Sequence, residues 1–234
     1  MRVGRTVCAL VAALTAMAAG GQNSSRMSTE ELNRMESYTH VPADVKEFAA
    51  EYIAAWNAKD TERLARLIVP GSRACVTAEN KAVYDEIDRT QMRDEVAPKY
   101  LLSLMPLDEA NIKAMASHGY FLVKPERELR VDYDYPNTRD GGQLLLYLVH
   151  ENGRWKSVFP CMTRLAIQDY RDGAADRAHY KSIAAAIREP LRSELKRMLQ
   201  KHQMGEAEER YKAATGCDMR TAMLVVNALD GRMP

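Results

Sequence analysis

Between Pro42 and Ile68 the apolar residues recur at steps of three and four. Val45, Phe48, Ala49, Tyr52 and Trp56 fall on one stripe, which predicts an amphipathic helix beginning near Pro42. Asn57 to Lys59 break the stripe. Asp60 is then placed to cap a second, short helix that turns Leu64, Leu67 and Ile68 inward and stops at Pro70-Gly71. The segment "SRACVT" reads as a short strand carrying Cys75. From Asn80 to Met115 the pattern reads as helical again, broken at Pro98 and Pro106, with Asp108 capping the last helix and Gly119 stopping it.

After Gly119 the period falls from 3.6 to 2. In "ERELRVDYDY" Leu129, Val131, Tyr133 and Tyr135 alternate with Glu128, Arg130, Asp132 and Asp134, the signature of a half-buried antiparallel strand with one apolar and one charged face. "QLLLYLVHENGRWKSVFPCM" then sets two β-rich runs around Asn152-Gly153, the pair best suited to a type I′ hairpin because both turn positions need positive φ. That turn fixes a register. His150 faces Trp155, Leu148 faces Ser157, Leu146 faces Phe159 and Leu144 faces Cys161 on one side, while Tyr147 with Val158 and Val149 with Lys156 fall on the other. Pro160 belongs near a strand end or on an edge, because it has no N–H for the ladder.

Downstream, Ile183, Ile187, Leu191, Leu195, Met198 and Leu199 mark amphipathic helix, with Pro190 either kinking one helix or opening a second. The opposite face carries Arg188, Arg192, Lys196, Arg197 and Lys201, read as a solvated surface. "TAMLVVNAL" predicts a short terminal helix.

The N-terminus changes the picture of where the chain works. Arg2 and Arg5, an apolar run from Thr6 to Ala19, and small residues at Ala16 and Ala18 make the three-part layout of a secretory signal. About 14 apolar residues fall short of the roughly 20 that span a bilayer, so no stable membrane insertion is expected once the signal is cut. Cleavage after Ala18 removes Arg2 and Arg5, taking 33 basic residues to 31 against 32 acidic ones. No basic field remains, so nucleic acid is not an expected partner. A periplasmic or secreted protein is expected. Cys75, Cys161 and Cys217 remain after cleavage. Free buried thiols are the preferred reading, with a Cys75–Cys161 bridge left open should their Cα atoms lie within roughly 7 Å.

Motifs for chemistry are few. The sequence has no Gly-rich phosphate loop, GxSxG elbow, HExxH or paired CxxC, which disfavours nucleotide hydrolysis, serine hydrolysis of the common kind and structural zinc. No cofactor or metal is expected. The histidines are scattered. Only His150 shares a face with Trp155 and Leu148, which makes it the one candidate general base; the plainer reading is a strand-end histidine beside an aromatic near solvent. Asp132 and Asp134 are read as part of a solvated face.

The order of "AAWNAKD", a short second helix, a strand, more helix, and long antiparallel strands ending in "ENGRWKSVF" resembles the NTF2-like superfamily, in particular its SnoaL-like members, over about residues 42 to 163. The resemblance implies an α+β fold of the cystatin-like kind, a cone-shaped curved antiparallel sheet wrapped around the N-terminal helices. It also implies an open end that often holds a small apolar ligand, and it accommodates a homodimer. The chain then divides into a signal peptide (1–18), a flexible leader (19–41), the NTF2-like domain (42–163) and a helical C-terminal extension (164–234). A ligand in such a cone would meet Tyr52 and Trp56 from the first helix and Leu146, Leu148, Trp155 and Phe159 from the hairpin, with His150 or Ser157 as polar handles. No acid–base set of the family's enzymes maps onto this chain. Two functions therefore stand. The first is a non-catalytic exported domain that binds a small apolar molecule or an envelope protein. The second is a cofactor-independent isomerase, dehydratase or cyclase acting on an apolar substrate.

Overall fold

A computed structural model describes residues 40–107, 109–116, 119–135 and 141–233. The expected secretory signal, most of the expected leader and the expected Asp108 cap lie outside the described residues. The chain is α+β. Helices α1 (Ala43–Asn57), α2 (Thr61–Leu67) and α3 (Lys81–Gln91) precede strand β1 (Tyr100–Pro106), helix α4 (Glu109–Met115) and the two-residue β2 (Gly119–Tyr120). Strands β3 (Arg127–Asp134), β4 (Gly141–Glu151), β5 (Arg154–Val158) and β6 (Cys161–Met162) follow. Helices α5 (Arg164–Asp172), α6 (Ala174–Ala186), α7 (Leu191–Gln200), α8 (Met204–Thr215) and α9 (Met219–Asp230) complete the chain. The main sheet is antiparallel in the order β1-β3-β4-β5, β2 and β6 form a separate pair, and among the described residues the strands do not close into a barrel.

Local chemistry explains most of the boundaries. The Asp60 carboxylate accepts the Arg63 N–H at 2.9 Å, capping α2 as its position predicts. Asn152 and Gly153 both have positive φ, 53° and 79°, and the register of His150 with Trp155, Leu148 with Ser157, Val149 with Lys156 and Tyr147 with Val158 follows the sequence expectation. Pro190 opens α7 and separates it from α6. Asp218 caps α9 through the Thr221 N–H.

Five expectations are corrected. Tyr100–Pro106 is a strand, not part of a helical segment: "YLLSLMP" is too short for a helical period to show, and its partner β3 decides its conformation. Cys75 sits in a turn. The hairpin pairing ends at Val158, so Phe159 does not face Leu146 and Cys161 does not face Leu144. The Phe159 N–H turns instead to Ser72 Oγ, and Cys161 is drawn away into a disulfide with Cys75, their Cα atoms 6.1 Å apart. That bridge replaces the free thiols preferred above. The charged face of β3 is not uniformly solvated either: Asp132 is 4% exposed and accepts a hydrogen bond from the amide of Gln143, directly opposite on β4.

Three cores result. The first joins the α1 stripe (Val45, Phe48, Ala49, Tyr52, Ile53) to Leu129, Val131, Leu144, Leu146 and Leu148 of the sheet. The second lies inside the C-terminal helices around Leu195, Tyr211 and Val225. The third packs Val83 and Tyr84 of α3 against Met162 and the α5 residues Ala166, Ile167 and Tyr170, next to the disulfide.

Candidate functional site

Part of the expected ligand wall comes together, and its members Tyr52, Leu146 and Leu148 are buried in the first core. Tyr52 and Trp56, one turn apart on α1, stack with ring centroids 6.3 Å apart, and both belong to the first core, which also holds Leu146 and Leu148 of β4. Leu148 is 0% exposed. Trp155 joins the same cluster from β5, and its indole N–H donates to Asp44 Oδ2 at 2.7 Å, tying the start of α1 to the hairpin. Burial, helped by nearby Asp88 and opposed by Arg73, raises the Tyr52 phenol well above its ordinary range. Ser157 is buried, and its carbonyl accepts the Val69 N–H.

Two members stand apart. His150 is exposed at the hairpin end, its ring edge-on to Trp155 at 5.0 Å, and no described carboxylate or hydroxyl hydrogen-bonds to it. Phe159 has left the sheet for the third core, where its ring meets Tyr84 at 5.5 Å and lies under the Arg73 guanidinium at 4.4 Å, itself paired with Asp88 at 2.7 Å. Sequence pattern could not reveal this, because it is the non-local disulfide and Ser72 that divert the chain after Val158.

The "AWN" motif serves as an anchor. The Trp56 indole donates to the Asp94 carbonyl at 2.9 Å, and Asn57 exchanges hydrogen bonds with the Val96 backbone in both directions. The segment fixed in this way presents its side chains to the C-terminal helices. Arg232 binds Asp94 at 2.8 Å and Asp230 at 2.6 Å, and Arg93 binds Asp230 at 3.3 Å. Beside them the Tyr135 hydroxyl donates to the Glu95 carbonyl, and its ring stacks on His202 at 3.8 Å. Gly231, at φ 73°, makes the left-handed turn that sends Arg232 back to Asp94, and a Cβ there would run into the Arg93 guanidinium. Burial raises the Asp94 carboxyl above its ordinary value, with Arg232 opposing and Asp230 adding. Asp94, Tyr135, His202 and the pair Asp230 and Arg232 at the end of α9 come from separate parts of the chain. No spacing in the sequence singles them out, and every charge in the group has a partner, so their chemistry is that of a clasp.

Elsewhere an open groove of about 500 Å³ runs past Glu209, Lys212, Ala213, Gly216, Cys217 and Met219 on α8 and α9, remote in sequence from the expected wall. Among the described residues no three His, Cys, Asp or Glu side chains are grouped to hold a metal ion, and no helix is long and apolar enough to cross a membrane. Comparison with protein-family models, curated proteins and solved structures finds no match.

Proposed function

We propose that this chain is an exported, non-catalytic binding module of NTF2-like type, and that it engages a protein in the cell envelope rather than holding a small apolar ligand inside its sheet. The observation that carries this reading is the packing of the expected wall. Tyr52, Leu146 and Leu148 are buried in one cluster with Trp56 and Trp155 against them, whereas a ligand site of ordinary size needs several hundred Å³ of open, mostly apolar space. The Cys75–Cys161 bridge supports export, because such bonds persist in oxidising compartments.

The protein's two tryptophans, Trp56 and Trp155, both stand in that wall, so their fluorescence is sensitive to a probe bound there. Titration of the native protein with an apolar fluorescent probe such as anilinonaphthalene sulfonate is expected to give no saturable quenching. Saturable quenching at micromolar probe would favour an internal small-ligand site and overturn this reading. Export is tested by N-terminal sequencing of protein recovered from the periplasm or medium, where the chain is expected to begin at Ala19.

A further inference from the structure

The two edges of the main sheet are treated differently. At β5 the Val69 N–H donates to the Ser157 carbonyl at 2.9 Å and Ile68 bridges Ser157 in parallel, so the segment after α2 covers that edge. At β1 no described residue plays this part. The ladder with β3 shows which groups are left over. The Leu107 N–H donates to the Glu126 carbonyl at 3.1 Å, and the register runs back through Met105 with Glu128, Ser103 with Arg130 and Leu101 with Asp132. In an antiparallel pair, hydrogen-bonded and non-bonded positions alternate, so these odd-numbered residues bond β3 and the even-numbered ones point away from it. The free edge therefore offers the N–H and C=O of Tyr100, Leu102 and Leu104 and the C=O of Pro106.

β1 also lacks the usual protection of such an edge. It carries no charged side chain and no bulge, only Pro106 at its end, while Leu101, Leu102, Leu104 and Met105 are all partly exposed. A long uncharged edge of this kind is a template for another strand. We infer that β1 pairs antiparallel with β1 of a second copy about a twofold axis at Leu102, joining the two sheets into one. This goes beyond the proposed function and does not depend on it.

The edge is complementary to itself in that register. Leu102 faces Leu102 of the second copy and Tyr100 faces Leu104, so every outward N–H finds an outward carbonyl and the Pro106 carbonyl lies beyond the paired stretch. A register centred on Ser103 would instead set Pro106, which has no N–H, against Tyr100 and leave the Tyr100 carbonyl without a donor inside the pairing. The uncharged strands meet without like-charge repulsion, and a twofold pairing closes on itself rather than propagating. Edge pairing buries little surface, so the dimer belongs to the weak, reversible class.

The register makes a charge test available. Carried one residue beyond β1, it would set Met105 against Lys99 of the second copy. Sedimentation velocity of the purified protein across a concentration series is expected to show a reversible monomer–dimer equilibrium. Met105→Lys should weaken it about threefold or more, and Met105→Glu should strengthen it by a similar factor, with circular dichroism confirming that both variants are folded. A protein that stays monomeric up to about 1 mM overturns the inference, and so does a dimer indifferent to both substitutions, because it must use another surface.

Discussion

The Asn57 carboxamide and the Val96 peptide hold each other by two hydrogen bonds, Nδ2 to the Val96 carbonyl and the Val96 N–H to Oδ1, both 2.9 Å long. The pair joins the end of α1 to the segment on which the C-terminal clasp is built. Asn57→Ala leaves both backbone groups without that partner and is expected to cost about 1–3 kcal/mol, read by urea denaturation. Asn57→Asp keeps the acceptor but sets a carboxylate against the Val96 carbonyl, and should cost at least as much. An effect of a few tenths of a kcal/mol for Asn57→Ala would show that the segment is held by other means.

The disulfide fixes a thiol count. Denatured, unreduced mature protein is expected to react with one equivalent of thiol reagent, at Cys217, and three equivalents would mean that Cys75 and Cys161 are unpaired. The bridge closes a separation of 86 residues, so the Cys75→Ser/Cys161→Ser variant should lose about 2–5 kcal/mol of stability. An unchanged denaturation midpoint would deny the bridge a structural role.

What the sequence makes legible in this fold is what short-range chemistry decides. Asn152-Gly153 names its own turn, Asp60 its own helix, and the alternation from Leu129 to Tyr135 its own strand. β1 is hidden because "YLLSLMP" has neither alternation nor a β-branched residue and becomes a strand only by pairing with β3. Of the expected wall, Tyr52, Trp56, Leu146, Leu148 and Trp155 are legible as one cluster because helix period and hairpin register place them. Phe159 escapes because Ser72 and Cys75, far away in sequence, redirect it. The clasp of Asp94, Asp230 and Arg232 depends on how the C-terminal helices dock, which no local pattern encodes.

Removing the clasp's central cation has a pH signature. In Arg232→Ala, Asp94 and Asp230 remain side by side without their shared partner, and a loss of about 1–3 kcal/mol is expected at pH 7. Burial holds the folded Asp94 pKa above its unfolded value, so ionised Asp94 opposes folding. That cost is absent below the ordinary carboxylate range and fully present above the raised pKa. The difference between variant and wild type should therefore shrink from pH 7 to pH 4, as chemical denaturation at the two values measures. A difference that grows in acid would contradict the assignment.

At high pH the tyrosines take over. Burial, with Glu128 adding, pushes the Tyr147 phenol up to about 12, and burial also raises Tyr52, Tyr84, Tyr135, Tyr170 and Tyr211. A raised phenol stabilises the fold fully below its unfolded pKa near 10, and that contribution is lost as pH rises through the folded value. Ultraviolet titration at 295 nm is expected to show these residues ionising together with unfolding, well above the midpoint of the same protein in guanidinium. Titration near pH 10 in the folded state would mean that the phenols are not buried.

Tyr52, Leu146 and Leu148 form packed core between α1 and the hairpin. Chemical denaturation of Leu148→Ala beside a His150→Ala control tests this most directly. Leu148 is fully buried and His150 exposed, so the account predicts a loss of about 2–5 kcal/mol for Leu148→Ala and a change within about 0.5 kcal/mol for His150→Ala. A Leu148→Ala loss below about 1 kcal/mol would mean that the side chain already lines an empty cavity, and would contradict the account.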